Sequence, residues 1–343
     1  MIGPANIDGK TLTFTLQFKP DHTNEMRTRL EEALRRQLTK AGWQGDVQVN
    51  VKTQAAPPKK RPQNKAPIKG MANNGMQPHG GPIKLAPIKG VTHIIAVASG
   101  KGGVGKSTVA SNLAVGLRRR GHEVGLVDAD IYGPSLPTMM NIQGRPLATP
   151  ENKIIPLEAY GVKCMSIGFL VDPEEPVIWR GPMVMGVVKQ FLQEVAWGEL
   201  DFLLVDLPPG TGDAQLTLIQ AVPISGSIIV TTPQDVAVMD AVRGIEMFRK
   251  LQVPVLGIVE NMSWLSLPDG TRMEPFGSGG GKRTAEKYDV PLIAQIPLCP
   301  AIRAGGDAGR PALANEDTPE SQSFESVLDA VENTFPIPPN DAP

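Results

Sequence analysis

The 343-residue sequence holds only two cysteines, Cys164 and Cys299. That number excludes a disulfide-rich secreted scaffold, and their wide separation excludes a local CxxC site. Aromatic residues are scarce as well, at 5% against 41% hydrophobic residues in all. Such a balance suits Val, Ile and Leu strands under Ala- and Leu-rich helices better than an aromatic-rich all-β sandwich. Neither sign of charge is in excess: 34 basic and 35 acidic side chains leave a formal charge of −1. Without a positive field to draw the chain onto nucleic acid or an anionic membrane, neither is an expected partner. There is no run of about 18 apolar residues to span a bilayer, and the opening MIGPANIDGK lacks the basic and apolar regions of a secretory signal. A cytoplasmic location is the expectation.

The patterns that are present divide the chain in three. Residues 11–19, TLTFTLQFK, alternate apolar and polar, Met26, Leu30, Leu34 and Leu38 follow at helical spacing, and residues 46–52 alternate again. These features predict a small β-α-β domain over residues 1–54, too short for a large core of its own. From 55 to 90 the composition turns to Pro, Gly, Lys and Asn, with KAPIKG at 65–70 recurring as LAPIKG at 85–90. This reads as a stiff, solvated tether, the alternative being a docking strip for an acidic partner. Residues 91–343 form the main domain, in which apolar runs at 93–98, 123–128, 202–206, 227–232, 254–260 and 291–296 alternate with helical stretches. Continuously apolar strands are buried on both faces, so the fold class expected is α/β: a doubly wound, mainly parallel sheet with its ligand crevice at the strand C-termini. Near the end, Thr318 and Pro319 are placed to cap and open a helix whose apolar face is Phe324, Val327, Leu328 and Val331.

After the first of those strands comes Gly100-Lys101-Gly102-Gly103-Val104-Gly105-Lys106-Ser107-Thr108, which satisfies G-x-x-x-x-G-K-[ST]. In this context glycines let backbone N–H groups wrap anionic oxygens, and a helix starting near Gly105 points its positive end at them. Lys106 would add a point charge at the terminal phosphates, and Ser107 an oxygen for Mg²⁺. Two further carboxylates end buried strands: Asp128, followed by Asp130, and Asp206, followed by LPPGTGD. A carboxylate so placed can hold Mg²⁺ directly or through water, and the loop after it can sense the γ-phosphate. Asp213 fits either that loop or the cap of the next helix.

Lys101 is a second lysine that an ordinary phosphate loop does not require. The run KGGVGKST resembles the deviant Walker A loop of MinD-like ATPases, in which the extra lysine reaches the partner subunit's nucleotide; the alternative is a solvated loop lysine. The strings VIWRGPM at 177–183, WGELDFLLVDLPPGTGD at 197–213, TTPQDVAVMDAVRGIEMF at 231–248, VENMSW at 259–264, FGSGGG at 276–281 and IRAGGDAGRP at 302–311 together resemble the Mrp/ApbC family of iron-sulfur cluster carrier ATPases. The resemblance runs over about residues 90–335. It implies an ATP-hydrolysing, Mg²⁺-dependent homodimer that binds a labile [4Fe–4S] cluster and passes it to iron-sulfur apoproteins or assembly factors. It makes Asp130 the residue that positions or activates the attacking water, 206–213 the switch II segment, and Asn261 and Pro297 the flanks of the adenine; a turn role for the last two is the alternative. Ser107, Asp130 and Asp206 are then the Mg²⁺ residues.

The chain departs from that family after ENMS. Cluster-bridging members carry a CxxC between ENMS and the FG-x-GGG turn, two thiolates from each subunit, whereas residues 264–275 here contain no cysteine. Cys164 is expected as a buried strand thiol and Cys299 as a loop thiol near the nucleotide. Altered cluster ligation, an adaptor without its own cluster, and a regulatory or positioning ATPase of the MinD/ParA kind are the functions left open.

Overall fold

The computed structural model describes residues 2–8, 11–18, 36, 38, 40, 46–53, 86–171, 181–315 and 318–337. The chain divides into two units, Met1–Gln63 and Asn64–Pro343. In the first, β1 (Ile2–Asp8), β2 (Thr11–Phe18) and β3 (Asp46–Thr53) form one sheet in that order, β1 antiparallel and β3 parallel to β2. Strand β1 is not foreshadowed by the sequence, because Gly3 and Pro4 interrupt any alternation. Most of the helix expected between β2 and β3 and the tether over 55–85 lie outside the described residues. The tether's last residues are not free: Ala86 N–H donates to Ala221 O at 3.3 Å and Ile88 is buried.

The second unit is an eight-stranded sheet. In chain order its strands are β4 (Val91–Ser99), β5 (Val124–Asp128), β6 (Leu157–Ala159), β7 (Val162–Ser166), β8 (Leu200–Asp206), β9 (Gly226–Thr231), β10 (Val255–Glu260) and β13 (Leu292–Gln295). They lie in the spatial order β13-β10-β9-β4-β8-β5-β7-β6, all parallel except β6 at the edge. Alternation along β4 shows why the strands read as continuously apolar. Ile94, Ala96 and Ala98 enter one core layer, while Ile95 and Val97 enter the other. The first layer is covered by helices α3 (Gly181–Gln193), α4 (Asp213–Ala221), α5 (Asp235–Lys250) and α6 (Gly280–Lys287), which contribute residues such as Phe191, Leu218, Ile245 and Ala285. The second is covered by α1 (Lys106–Arg119) and α8 (Pro319–Thr334). Between them in sequence lie two short helices, α2 (Leu136–Met139) and α7 (Pro300–Asp307).

Helix α8 forms as its sequence predicts. Thr318 accepts from Ser321 N–H in a capping box, Pro319 opens the helix, and Phe324, Val327, Leu328 and Val331 are all buried. Each such side chain contributes about 1.5–3 kcal/mol of burial. Its close approach to α1 depends on Gly116, where a Cβ would sit 2.7 Å from Leu328. Cys164 is a buried strand thiol in β7, its pKa pushed up by burial, and Cys299 is the half-buried N-cap of α7. Among the described residues no helix is long and apolar enough to cross a membrane.

Candidate nucleotide site

Strands β4, β5 and β8 end side by side, Asp128 directly opposite Asp206, and the loop from Gly100 to Gly105 leaves β4 at that same end. Gly105 is the N-cap of α1 with φ 86°, a left-handed conformation that an L side chain adopts only under strain. It is crowded as well: a Cβ there would lie 2.1 Å from Asn261 Nδ2. Gly102 and Gly103 face open space, with nothing within 4 Å of an added Cβ. Glycines on the open side of such a loop leave a backbone-lined cradle of the size and polarity that phosphate oxygens fill. Val104, between Gly103 and Gly105, is buried in the core and pins the loop to the domain. Thr108, in the first turn of α1, is half-buried, and its carbonyl accepts from Asn112 Nδ2 at 2.8 Å.

Lys106 is only 6% exposed and donates to Asp206 Oδ1, with Ser107 Oγ 3.3 Å from the same ammonium. Burial pushes the Asp206 carboxyl above the usual range, Lys106 and Ser107 pull it back, and the nearby Asp130 charge adds to the rise. Asp128, beside it, is likewise raised by burial and by the Asp206 charge. Ser107 and Asp206 thus present hard oxygen donors side by side, the donor set that fits Mg²⁺.

Asp128 does something other than meet a cation. Its Oδ1 accepts from Asp130 N–H at 3.1 Å, and its Oδ2 from Ser135 N–H, Leu136 N–H and Ser166 Oγ at 3.0, 3.1 and 3.1 Å. It therefore folds the 129–136 loop around itself and sets where Asp130 stands. Asp130 is half-buried and accepts from Gly133 N–H at 3.3 Å. On the other side, Leu207 N–H donates to Val97 O at 3.0 Å and Gly210 N–H to Ser99 O at 2.9 Å, which lays the 206–212 loop across the start of the phosphate loop. The next helix has Gly212 at its N-cap, so Asp213 is its first residue rather than its cap.

The remaining residues singled out from the sequence fall at the rim. Lys101 Nζ donates to Gln234 Oε1 at 3.2 Å, a partner 133 residues away that no local pattern announces. Asn261 is buried and donates to Val104 O at 2.9 Å, gripping the phosphate loop from below. Pro297 is half-buried in the loop after β13, which runs beside Asn261 through Ile296 N–H to Glu260 O at 2.8 Å and Ser263 N–H to Ile296 O at 2.9 Å. In the cysteine-free stretch after Ser263, Leu265–Ser266 (β11) and Arg272–Met273 (β12) form a small antiparallel hairpin. It is closed by Asp269 accepting from Thr271 N–H at 2.9 Å and by Arg272 stacked 4.1 Å over the Trp264 ring.

This geometry agrees with the comparisons to known proteins. A family model described as ParA, NUBPL iron-transfer P-loop NTPase, matches residues 90–332. The chain belongs to that family. It is 52% identical over 243 residues to the iron-sulfur cluster carrier protein of Synechocystis sp., a match covering 69% of this chain and 68% of that one. It is 45% identical over 282 residues to the iron-sulfur cluster transfer protein NUBPL of Dictyostelium discoideum, covering 79% and 87%. Among solved structures it is similar to a nucleotide-binding protein from Archaeoglobus fulgidus in complex with ADP, at 40% identity and a TM-score of 0.59, over 68% of this chain and 92% of that one. The eight-stranded, mainly parallel sheet is accordingly that of a P-loop NTPase.

Proposed function

We propose that this chain is a Mg²⁺-dependent ATPase that works as a homodimer and delivers iron-sulfur clusters to apoproteins. The observation that carries the reading is the buried Lys106–Asp206–Ser107 constellation under an open glycine cradle. A lysine desolvated with an aspartate it can exchange for phosphate is poised for an anionic ligand. Bound there, Mg²⁺ would be held through Ser107 and Asp206, with Asp130 nearby, and would neutralise charge on the β- and γ-phosphates.

The chain's own residues then divide the work. Backbone N–H groups of the loop from Gly100 to Thr108 cradle the phosphates, and Lys106 stabilises charge on the terminal one. Asp130, held by the Asp128 network, orients the water that attacks the γ-phosphorus; the bond from that phosphorus to the β–γ bridging oxygen breaks, and ADP and inorganic phosphate leave. Lys101 leaves Gln234 to reach the partner subunit's phosphates. Asn261 and Pro297 flank the adenine.

The iron-sulfur cluster is cargo rather than a resident group. A [4Fe–4S] cluster takes four thiolates, and a dimer of this chain has only four cysteines, two of them the inward-facing Cys164. The carriage proposed is therefore transient, completed by thiols of the donor or recipient protein. Anaerobic reconstitution with iron and sulfide, followed by desalting, tests this. Normal ATP binding with no retained brown chromophore is the expected result; near-stoichiometric iron and sulfide, lost when Cys164 and Cys299 are replaced by Ser, would replace transient carriage with a relocated ligand set. Release of phosphate from Mg·ATP at background rates by the purified chain would overturn the ATPase reading itself.

A further inference from the structure

Beneath the nucleotide loop lies a buried carboxylate that the chemistry above does not use. Glu260, the last residue of β10, is 0% exposed and takes three neutral donors: Ser263 Oγ at 2.9 Å, Gln295 Nε2 at 2.7 Å and Gly281 N–H at 2.6 Å. A carboxylate sealed from water is tolerated only when its lone pairs are filled, so its partners cannot drift independently. Those partners frame one excursion of the chain. Residues 264–279 leave the buried body of the domain just after Ser263, and the chain is buried again at Gly280 and Gly281, the start of α6. The exposed hairpin between them is tied within itself by Asp269–Thr271 and Trp264–Arg272, so it can move as a unit.

Both halves of the phosphate loop lead to those two glycines. The second half is gripped by Asn261, adjacent to Glu260, which holds Gly281 so closely that a Cβ there would lie 2.8 Å from Glu260 Oε2. The first half binds the start of α5: Lys101 donates to Gln234, and a Cβ on Gly100 would lie 2.2 Å from the Asp240 carbonyl carbon. That same segment abuts Gly280, where a Cβ would lie 2.3 Å from Pro233 O, and Asp235 faces Arg283 at 3.6 Å. Contacts with so little slack pass displacement on rather than absorb it.

We propose that Glu260 is a positioning residue that couples the phosphate loop to the 264–279 hairpin, so that nucleotide occupancy sets the pose of this exposed surface. The inference rests on nucleotide binding at Gly100–Thr108, as proposed above. It makes the hairpin, which holds no thiolate, the nucleotide-responsive face of the molecule.

Peptide-level hydrogen–deuterium exchange on the full chain, with and without saturating Mg·ADP, tests it. In the wild type, nucleotide should slow exchange over 100–110 and also change it at least about twofold over 264–280. Glu260→Gln turns one acceptor oxygen into a donor, and Gly281→Ala pushes the carboxylate aside without altering its charge. Each should keep protection over 100–110 while the 264–280 response falls below half. Should Glu260→Gln not fold, Gly281→Ala and the milder Ser263→Ala carry the test. Protection over 100–110 with an unresponsive hairpin in the wild type, or an undiminished hairpin response in the folded variants, overturns the coupling. Absence of protection over 100–110 in the wild type removes the nucleotide reading and this proposal with it, an outcome distinct from the other two.

Discussion

The same central strands carry a charged cluster at each end, and the two are built differently. At the C-terminal end, Lys106 and Asp206 are buried, with side-chain exposures of 6% and 5%. At the opposite end, Arg120, just after α1, pairs with Glu325, Asp329 and Glu332 of α8, whose side chains are 37%, 58% and 28% exposed. His122 joins the same cluster, its Nε2 2.8 Å from Glu332. A buried pair is a poor source of stability, because desolvation cancels most of its attraction, whereas a half-exposed network costs little and staples two elements together. Charge buried at a loss marks the end where a ligand completes it; charge left wet marks the end that holds the last helix down.

The sharpest way to break that contrast is Lys106→Ala. Steady-state phosphate release should fall by about a thousandfold or more and ATP binding should weaken strongly, with the circular dichroism spectrum retained. Wild-type turnover after contaminating ATPase is removed would leave the buried cluster without a function.

Lys101→Ala comes next. Losing only the Gln234 contact within its own chain, it should still bind ATP yet turn over about ten- to a hundredfold more slowly. Mixed with Asp130→Ala, it should regain activity in one of the two sites of a heterodimer; heterodimers that form and stay inactive would confine Lys101 to its own subunit.

At the wet end the effect should be thermodynamic. Arg120→Ala should lower stability by about 1 kcal/mol, less at high salt, and leave kcat unchanged, as read by urea titration and phosphate release. A comparable loss of kcat would mean that the two ends are not separable.

The smallest effect is a slope. Burial raises the Asp206 carboxyl above its ordinary value of 3.8, so the folded chain holds more protons than the unfolded one between that value and the raised one. Its contribution to stability therefore falls as pH rises through that window. In nucleotide-free protein, Asp206→Asn should flatten the pH dependence of Tm above about pH 4 relative to wild type. An unchanged slope would assign the titration elsewhere.

Much of this was written locally. The phosphate loop, the carboxylates closing β5 and β8, the capping of α8 and the buried thiol in β7 all follow from neighbouring residues, because strand burial, helix caps and left-handed turns are demands that adjacent positions meet or fail. Strand β1 was illegible because Gly3 and Pro4 erase the period, and the pairing that stabilises it comes from β2.

The partners of the polar side chains were decided only by the tertiary structure. Asp128 sits in the sequence like a second metal ligand, yet four donors, one of them Ser166 on the neighbouring strand, make it the organiser of the loop that carries Asp130. Lys101 meets Gln234 and Asn261 meets Val104 across 133 and 157 residues. Such pairings depend on β9 and β10 lying in order beside β4, and strand order is set by the packing of both core layers at once. A periodic pattern states which face of a strand is buried; only the assembled sheet states which strand comes next, and so which donor each buried acceptor finds.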